Sequence, residues 1–250
     1  MATDLELLSG IARRRAAQAE AGMFDLGEGF NLTSRIEHVA LRPLLSESEL
    51  EAICALALAQ NFAAVYVPLP WIDAARNLLS SGSVFTAAAI SYPLGTSTIE
   101  TQEEETRRAI DSGAQVISVT LAHWKLKMPD TGELRREMER LGEIAEGVFL
   151  SFTLETSMLT EEEMITAVRL AELARANWVR SGCGLWKNAG IGEIALLKSA
   201  APDSMKICVS AEKEGNCSRN LPPLFAAGAD RISTSSPLEL LQDFSLLSGS

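Results

Sequence analysis

The feature that most constrains this chain is a regular alternation of short β-rich runs with helix-like segments, repeated eight times. Runs such as AAVYV and FTAAAI are apolar on both faces, which is typical of strands that helices cover. Strands separated by helices predict parallel pairing through βαβ units. Eight such units favour an α/β fold, a closed (β/α)8 TIM barrel. The predicted strands are 36–41, 62–67, 84–91, 115–122, 148–156, 178–182, 206–210 and 230–234.

The length agrees with one such barrel. A (β/α)8 barrel takes about 250 residues, and the chain has 250. We therefore expect residues 1–250 to form a single TIM-barrel domain, in which residues 1–32 are an N-terminal helical extension. Helix starts are also readable: Ser46 followed by Glu49 has the pattern of a capping box.

Composition excludes several classes of function. The chain carries 22 Lys and Arg against 33 Asp and Glu, a net charge of -11, so neither nucleic acid nor an anionic membrane surface is expected as a partner. The sequence contains no apolar run long enough to span a bilayer and no apolar signal-peptide core, and we expect a cytoplasmic protein. A small anionic metabolite is the expected partner, and association into a homodimer is left open.

The sequence predicts neither a metal site nor a bound cofactor. Four cysteines and two histidines are scattered without a CxxC pair, which argues against a structural zinc site or a disulfide framework. No GxGxxG or GxxxxGK[ST] loop follows a predicted strand, which weakens a nucleotide-binding interpretation.

Six short motifs, in order and in register, resemble the deoxyribose-phosphate aldolase family over about residues 33–240. In that family they fall at strands one, three, four, five, six and eight, so the resemblance implies the same barrel that the alternation predicts. The motifs are IEHVALRP (36–43), ISYPLGTST (90–98), GAQVISV (113–119), LETSMLTEEE (154–163), WVRSGCG (178–184) and AAGADRISTSS (226–236).

The resemblance implies a chemistry whose side chains this sequence lacks. Members of the family join or cleave a carbon–carbon bond through a Schiff base on a lysine that ends strand six, helped by a lysine on strand seven and an aspartate on strand four. The matching positions here are Arg180, Cys208 and Ser118. Because a guanidinium stays protonated, Arg180 is not expected to form an imine, and we do not carry the family's activity over.

The phosphate grip that the resemblance implies is also altered. Its second half persists as the run from Ser233 to Ser236, which leads into a helix whose start can bind an anion. The loop after strand seven carries Glu212 and Glu214, which would repel a phosphate, and Lys213, which would offset part of that repulsion. Lys213, Ser235 and Ser236 are therefore candidate substrate-binding residues; alternatively, the serines simply cap the last helix.

Alternation along the strands predicts which other side chains face the barrel interior. Taken with Ser118, Arg180 and Cys208 as inward, it adds five residues at or near strand ends: Glu37, Tyr66, Tyr92, Thr153 and Glu155. Arg180 is either a clamp for a substrate anion or the ion-pair partner of Glu155 or Glu37. Glu155 and Glu37 are candidate general bases, and the tyrosines, Tyr66 and Tyr92, are candidate proton donors or simply fill the barrel.

Other polar residues are weaker candidates. Cys183 and Cys208 are either nucleophiles or small apolar fillers. His38 is expected to point outward, whereas His123 follows strand four and could reach the rim. A lysine in a new position could still form an imine, and those that follow strands four, six and seven are Lys125, Lys127, Lys187 and Lys213.

Three functional hypotheses follow. The first is a divergent enzyme of the aldolase superfamily with a rebuilt site. It would perform acid–base chemistry on a small anionic carbonyl metabolite by cyclisation, dehydration, isomerisation or an imine-free aldol-type step, in specialised metabolism by analogy. In it, Arg180, Ser118 and Cys208 would contact the substrate. The second is a catalytically inactive barrel that binds a ligand or a protein. The third is a Schiff-base aldolase with a relocated lysine.

Overall fold

Eight parallel strands close into a barrel in chain order in the computed structural model, which describes residues 3–23, 25–212 and 221–248. Each strand pairs with its sequence neighbours, and the first pairs with the last, so the predicted (β/α)8 TIM barrel is confirmed. The strands are β1 (Ile36–Val39), β2 (Ala64–Val67), β3 (Phe85–Ile90), β4 (Val116–Thr120), β5 (Phe149–Thr153), β6 (Trp178–Arg180), β7 (Lys206–Ser210) and β8 (Arg231–Thr234).

Helices surround the barrel, one or more following each strand. Within the described ranges they are α1 (Asp4–Glu20), α2 (Glu47–Gln60), α3 (Ile72–Leu78), α4 (Ile99–Asp111), α5 (His123–Leu126), α6 (Gly132–Ile144), α7 (Glu161–Leu173), α8 (Ile191–Ala200), α9 (Leu221–Ala227) and α10 (Pro237–Ser248). None of these helices is both long enough and apolar enough to cross a membrane.

Local sequence signals set the helix starts. The capping box predicted at Ser46 is present: its hydroxyl accepts from the Glu49 N–H, and the Glu49 carboxylate accepts from the Ser46 N–H. Thr160 begins α7 in the same way, together with Glu163. Each box satisfies two backbone donors that a helix start would otherwise leave unpaired.

Seven of the eight strands are shorter than the predicted runs, and β7 has the predicted bounds. The sequence predicts β5 through Thr156, whereas the strand ends at Thr153. Beyond it, the Leu154 and Thr156 N–H groups still donate to the Arg180 and Ser181 carbonyls, and Glu155 between them is left-handed, with a φ of 47°. The single-turn helix α5 lies in a segment that the sequence predicts as loop. Both differences fall at the carboxyl ends of strands, where side chains are turned toward the barrel mouth.

The core has two layers, as a barrel wrapped by helices requires. Outward-facing strand residues such as Val65, Ile117 and Val179 are buried against the helices. Inward-facing residues alternate with them and include Tyr66 and the small Ala64 and Ala87. Small side chains on one side of the interior leave volume for the large polar side chains that enter from other strands.

Two glycines in helices allow a matched test of this packing. A Cβ added to Gly142 in α6 would lie 2.2 Å from the carbonyl oxygen of Ala174, whereas a Cβ added to Gly10 in α1 would have no neighbour within 4 Å. Alanine is favoured over glycine in a helix by about 1 kcal/mol, and we expect that gain for Gly10→Ala. For Gly142→Ala we expect a net loss of roughly 1–3 kcal/mol, since the two helices must separate.

The measurement is the midpoint of thermal unfolding, followed by circular dichroism for both variants and the parent. For a chain of this size, 1 kcal/mol corresponds to a shift of roughly 2–4 °C. Shifts in the same direction for both variants would contradict the close approach of α6 to the end of α7.

Candidate active site at the barrel mouth

The carboxyl ends of the strands, where barrel enzymes carry their chemistry, enclose a narrow cavity lined by both apolar and polar side chains. Its volume is about 20 Å³, enough for one or two water molecules. Six of the residues that the sequence singles out lie together in its wall: Tyr66, Tyr92, Ser118, Thr153, Arg180 and Cys183. The full lining is Val39, Leu41, Tyr66, Ala89, Tyr92, Ser118, Thr120, Thr153, Arg180 and Cys183.

Arg180 ends β6 and points into the barrel, where it is 6% exposed. Its Nη1 donates to the Glu37 carboxylate and, at 3.0 Å, to the Tyr66 hydroxyl. The guanidinium also lies over the Tyr66 ring, 4.5 Å from its centroid. Of the two partners that the sequence left open for Arg180, the ion pair is therefore with Glu37 and not with Glu155.

Glu37 receives a second arginine. Arg231, at the start of β8, donates from Nη1 to Glu37 Oε1 at 3.1 Å and lies over the ring of Trp178. Burial raises the pKa of Glu37, but the two guanidiniums outweigh that effect, so the pKa ends below its ordinary value. Glu37 is therefore an ionised counter-ion, an arrangement unsuited to the proton-carrying role predicted for it.

The three charged groups leave the barrel interior with an excess of positive charge, because two arginines share one carboxylate. Arg180 keeps its proton: burial disfavours its charge, but the neighbouring Cys208, Tyr66 and Glu37 raise its pKa above the ordinary value. In the described part of the chain, both hydrogen bonds of Arg180 are made by Nη1. Nε and Nη2 remain as donors for a group that enters the mouth.

Cys208 and Tyr66 complete this cluster as neutral groups. The Cys208 thiol donates to Glu37 Oε2 at 3.3 Å. Burial raises the pKa of the Cys208 thiol and that of the Tyr66 hydroxyl well above their ordinary ranges. Cys208 is thus a poor nucleophile, whereas the Tyr66 hydroxyl keeps a proton and lies in the cavity wall.

Glu155 is the second carboxyl of the mouth, and its environment is the opposite of that of Glu37. It is 2% exposed, and its Oε1 accepts the Cys183 N–H at 2.5 Å. Burial raises its pKa above the ordinary value, only partly offset by its hydrogen bonds to Cys183. It makes no ion pair among the described residues. A non-glycine residue in a left-handed conformation, whose buried carboxyl has a raised pKa, is a candidate functional residue.

Tyr92 lies on the same side of the cavity. It follows Ser91, whose φ of 54° is also left-handed, directly after β3. Burial raises the pKa of Tyr92 to about 12, and the nearby Cys183, Glu212 and Glu155 act in the same direction. The hydroxyl of Tyr92 is therefore protonated at neutral pH and available as a donor.

Ser118 occupies the position at which the resemblance implies an aspartate. It is 2% exposed, and its hydroxyl lies 3.2 Å from that of Thr153 on the adjacent strand. Two paired neutral hydroxyls do not supply the charge with which a carboxylate relays protons. The structure thus places Ser118 in the cavity wall as a polar but uncharged residue.

The serines that follow β8 already have partners within the chain. The Ser235 N–H donates to Glu212 Oε1 at 2.9 Å, and its hydroxyl donates to the other oxygen of the same carboxylate. The Ser236 N–H donates to the Thr234 hydroxyl at 3.2 Å. Lys213, predicted as a substrate contact beside them, lies outside the described residues, as does Glu214.

The lysines of the described mouth loops have ordinary partners or face solvent. Lys125 is paired with Glu133 at 2.8 Å and with Glu137, and these carboxylates raise its pKa against the opposing effect of burial. Lys127 is paired with Glu163, and Lys187 is exposed. Because an imine forms from a neutral amine, Lys125 is poorly suited to that chemistry.

The histidines lie outside this cavity. His38 points outward and packs edge-on against Phe62; burial, aided by Arg42, lowers its pKa to about 4. His123 begins α5, and its pKa is lowered by burial. Across the described ranges, no three His, Cys, Asp or Glu side chains converge as metal ligands.

Sequence reasoning did not name Arg231 as a site residue, and it named Glu212 only as a charge that would repel a phosphate. The inward direction of Arg231 could have been predicted, because alternation along RIST puts it on the same face as Ser233, inside the barrel. The contact of Glu212 with Ser235 joins two loops that are 23 residues apart. The sequence shows that acidic residues crowd the loop after strand seven, but it does not show which donor Glu212 contacts.

Comparison with known proteins agrees with the motifs and the barrel. Deoxyribose-phosphate aldolase of Brevibacillus brevis is 30% identical over 213 residues, which cover 84% of this chain and 95% of that protein. Deoxyribose-phosphate aldolase 1 of Bacillus licheniformis is 32% identical over 210 residues, covering 83% and 93% of the two chains. No protein-family model matches the sequence.

Solved structures show the same fold. The tetrameric deoxyribose phosphate aldolase from Aeropyrum pernix superposes with a TM-score of 0.76 at 21% identity, covering 96% of this chain and 97% of that one. An aldolase designated QR15 gives a TM-score of 0.79 at 24% identity and covers 88% and 100%. Shared sequence over most of both chains, on a common barrel, establishes that this chain belongs to the deoxyribose-phosphate aldolase family.

Proposed function

We propose that this member of the aldolase superfamily is an enzyme that moves protons on a small anionic carbonyl compound without forming a Schiff base. The observation that carries the proposal is Glu155, a buried carboxyl with a raised pKa at the end of β5. A base whose pKa is raised toward neutrality is matched to proton transfer at carbon next to a carbonyl. The enzyme's site is the cavity lined by Tyr92, Arg180 and Cys183, with Glu155 bonded to the Cys183 N–H behind it.

In the proposed reaction, the Glu155 carboxylate removes a proton from the carbon beside the carbonyl group. The electron pair of the broken C–H bond moves toward the carbonyl oxygen, which becomes an enolate oxygen. The free donors of Arg180 and the Tyr92 hydroxyl stabilise that negative charge. Return of the proton to another atom gives isomerisation, loss of a leaving group gives dehydration, and attack on a second carbonyl gives an imine-free aldol or cyclisation product.

The replaced lysines support a route without an imine. Arg180 occupies the place of the Schiff-base lysine and holds its charge beside Glu37. Cys208, a buried thiol, occupies the place where the resemblance implies a second lysine, the one that lowers the pKa of the Schiff-base amine. Among the lysines that follow strands at the mouth, Lys125 forms ion pairs with Glu133 and Glu137.

A second candidate function is a barrel that binds a ligand or a protein without catalysis. Two observations favour it: Arg180 is already paired with Glu37, and the mouth cavity measures only about 20 Å³. The buried carboxyl of Glu155, which has no cationic partner among the described residues, favours the enzyme, since burying such a group is costly in a barrel that has no use for it. A cytoplasmic location accompanies either proposal, a role in specialised metabolism belongs to the enzyme, and association into a homodimer is left open.

The first test is exchange of carbon-bound hydrogen with deuterium oxide, followed by NMR on a panel of carbonyl compounds that includes acetaldehyde, pyruvate and dihydroxyacetone. We expect exchange with at least one compound and a loss of at least about 10²-fold for Glu155→Gln, because the amide accepts from Cys183 but does not take a proton. Glu146→Gln, in the exposed turn that follows α6, is the matched control. Absence of exchange with the whole panel would favour the non-catalytic barrel.

The second test is the pH dependence of stability. Because the folded-state pKa of Glu155 lies above the ordinary value of 4.5, the folded protein holds this proton more tightly than the unfolded chain. The parent protein should therefore lose stability relative to Glu155→Gln as the pH rises from the ordinary range of a glutamate through the raised pKa. Thermal midpoints of both proteins, measured across acidic to neutral pH, give this difference. A constant difference would show that Glu155 titrates normally.

The third test addresses the imine directly. The protein is incubated with aldehydes and ketones, including deoxyribose 5-phosphate, then treated with borohydride and weighed by mass spectrometry. We expect no adduct, because the described lysines near the mouth are paired or solvated and Arg180 stays protonated. A deoxyribose-phosphate aldolase that retains its lysine is the positive control. A single adduct mapped to Lys125, Lys187 or Lys213 would overturn this part of the proposal.

A further inference from the structure

Arg231 joins the ion pair of the barrel interior from a strand of its own. It begins β8, and the strand ladder pairs it with Cys208 on β7, which is in turn paired with Arg180 on β6. Because neighbouring strands lie about 4.8 Å apart, the backbones of the two arginines are separated by roughly 10 Å along the barrel wall. Glu37 bridges that separation, since it accepts from both guanidiniums.

The two arginines bind different oxygens of Glu37. Arg231 donates from Nη1 to Oε1 at 3.1 Å, whereas Arg180 donates from its own Nη1 to Oε2. An arginine and a carboxylate that meet without a competitor often form a bidentate pair, in which two N–H groups face both oxygens. Because Arg231 holds Oε1, the hydrogen bonding between Arg180 and Glu37 is restricted to one nitrogen and one oxygen.

An aromatic ring fixes the position of Arg231. Its guanidinium lies over the ring of Trp178, 4.3 Å from the centroid, which is an attractive cation–π geometry. Trp178 lies two residues before Arg180 on β6, so both side chains belong to the inner face of that strand. Arg231 is not among the described residues that line the mouth cavity. Any effect of Arg231 on chemistry at the mouth must therefore pass through Glu37 and Arg180.

We propose that Arg231 is a positioning residue, which keeps Arg180 available to an oxyanion in the mouth by occupying one oxygen of Glu37. Without Arg231, both oxygens of Glu37 would be free to bind Arg180, which would compensate its charge and use a further N–H. With Arg231 present, one carboxylate faces two positive charges, and Nε and Nη2 of Arg180 have no partner among the described residues. The effect on the reaction rests on the proposed function, whereas the effect on anion affinity does not.

The experiment titrates formate, the smallest carboxylate, into the parent protein, Arg231→Met and Arg231→Lys. The Arg180 Nε–H and the Cys183 N–H, which belong to residues of the cavity wall, are followed by ¹H–¹⁵N NMR. We expect a saturable shift in the parent and an affinity at least about tenfold lower for Arg231→Met, because loss of a nearby positive charge weakens the attraction of an anion. Arg231→Lys keeps the charge and a donor for Glu37, and it should recover most of that loss.

Arg35→Met is the matched control. Arg35 is also half-buried and lies over an aromatic ring, 5.0 Å from the centroid of Phe30, but it donates to the Asp230 carbonyl instead of to Glu37. We expect the formate affinity of this variant to equal that of the parent, whatever its thermal midpoint. If Arg231→Met does not fold, Arg231→Gln, which is also neutral, replaces it with the same expected loss.

Three results would overturn the proposal: no saturable response in the parent, equal affinity of the parent and Arg231→Met, or no recovery in Arg231→Lys. A purely structural role would lower the thermal midpoint of Arg231→Met and leave the formate affinity of the folded protein unchanged. None of these results depends on activity, so failure of the proposed reaction is separable. If the exchange reaction is found, its rate at saturating substrate should fall for Arg231→Met and recover for Arg231→Lys, and an unchanged rate would contradict the role in the reaction.

Discussion

Arg180 and Glu37 form an ion pair inside the barrel, and the rest of the site is arranged around it. A guanidinium at this depth must be paired, because removing one partner would leave an uncompensated buried charge. Glu37 on β1 reaches it across the barrel, and Arg231 on β8 shares the same carboxylate. The three side chains fill the layer of the barrel interior in which the resemblance to the family implies lysines. Their charges do not cancel, so the interior stays positive in a chain whose net charge is -11.

This pair separates the two carboxyls of the barrel into different chemical states. Glu37 has its pKa lowered because both guanidiniums outweigh the effect of burial. Glu155, buried without a cation, has its pKa raised. Pairs of acids whose environments push their pKa values apart are the usual basis for assigning proton-transfer roles. Had Arg180 paired with Glu155 instead, the mouth would contain a neutralised ion pair and no group suited to carry a proton.

The sequence predicts the barrel and the inward-facing strand residues because both follow from periodicity. Alternation puts Glu37, Tyr66 and Arg180 on one face, and the strand pairing brings them together. It does not decide between Glu37 and Glu155 as the partner of Arg180. That choice depends on the left-handed turn at Glu155, which directs its carboxylate to the Cys183 N–H. Periodicity does not predict the contact between Glu212 and Ser235 either, since that contact depends on how two loops pack.

The carboxylates of Glu37 and Glu212 are both bound by donors of the chain itself. Glu37 accepts from Arg180 and Arg231, and Glu212 accepts from Ser235. Both carboxylate oxygens of Glu212 accept a hydrogen bond from Ser235, one from its N–H and the other from its hydroxyl. The single negative charge of Glu37 does not neutralise the two positive charges of Arg180 and Arg231, which share it. The charge that remains is therefore concentrated at Arg180, and a low-dielectric barrel wall increases its effect on an oxygen that becomes negative in the cavity. In the proposed reaction, that oxygen is the developing enolate.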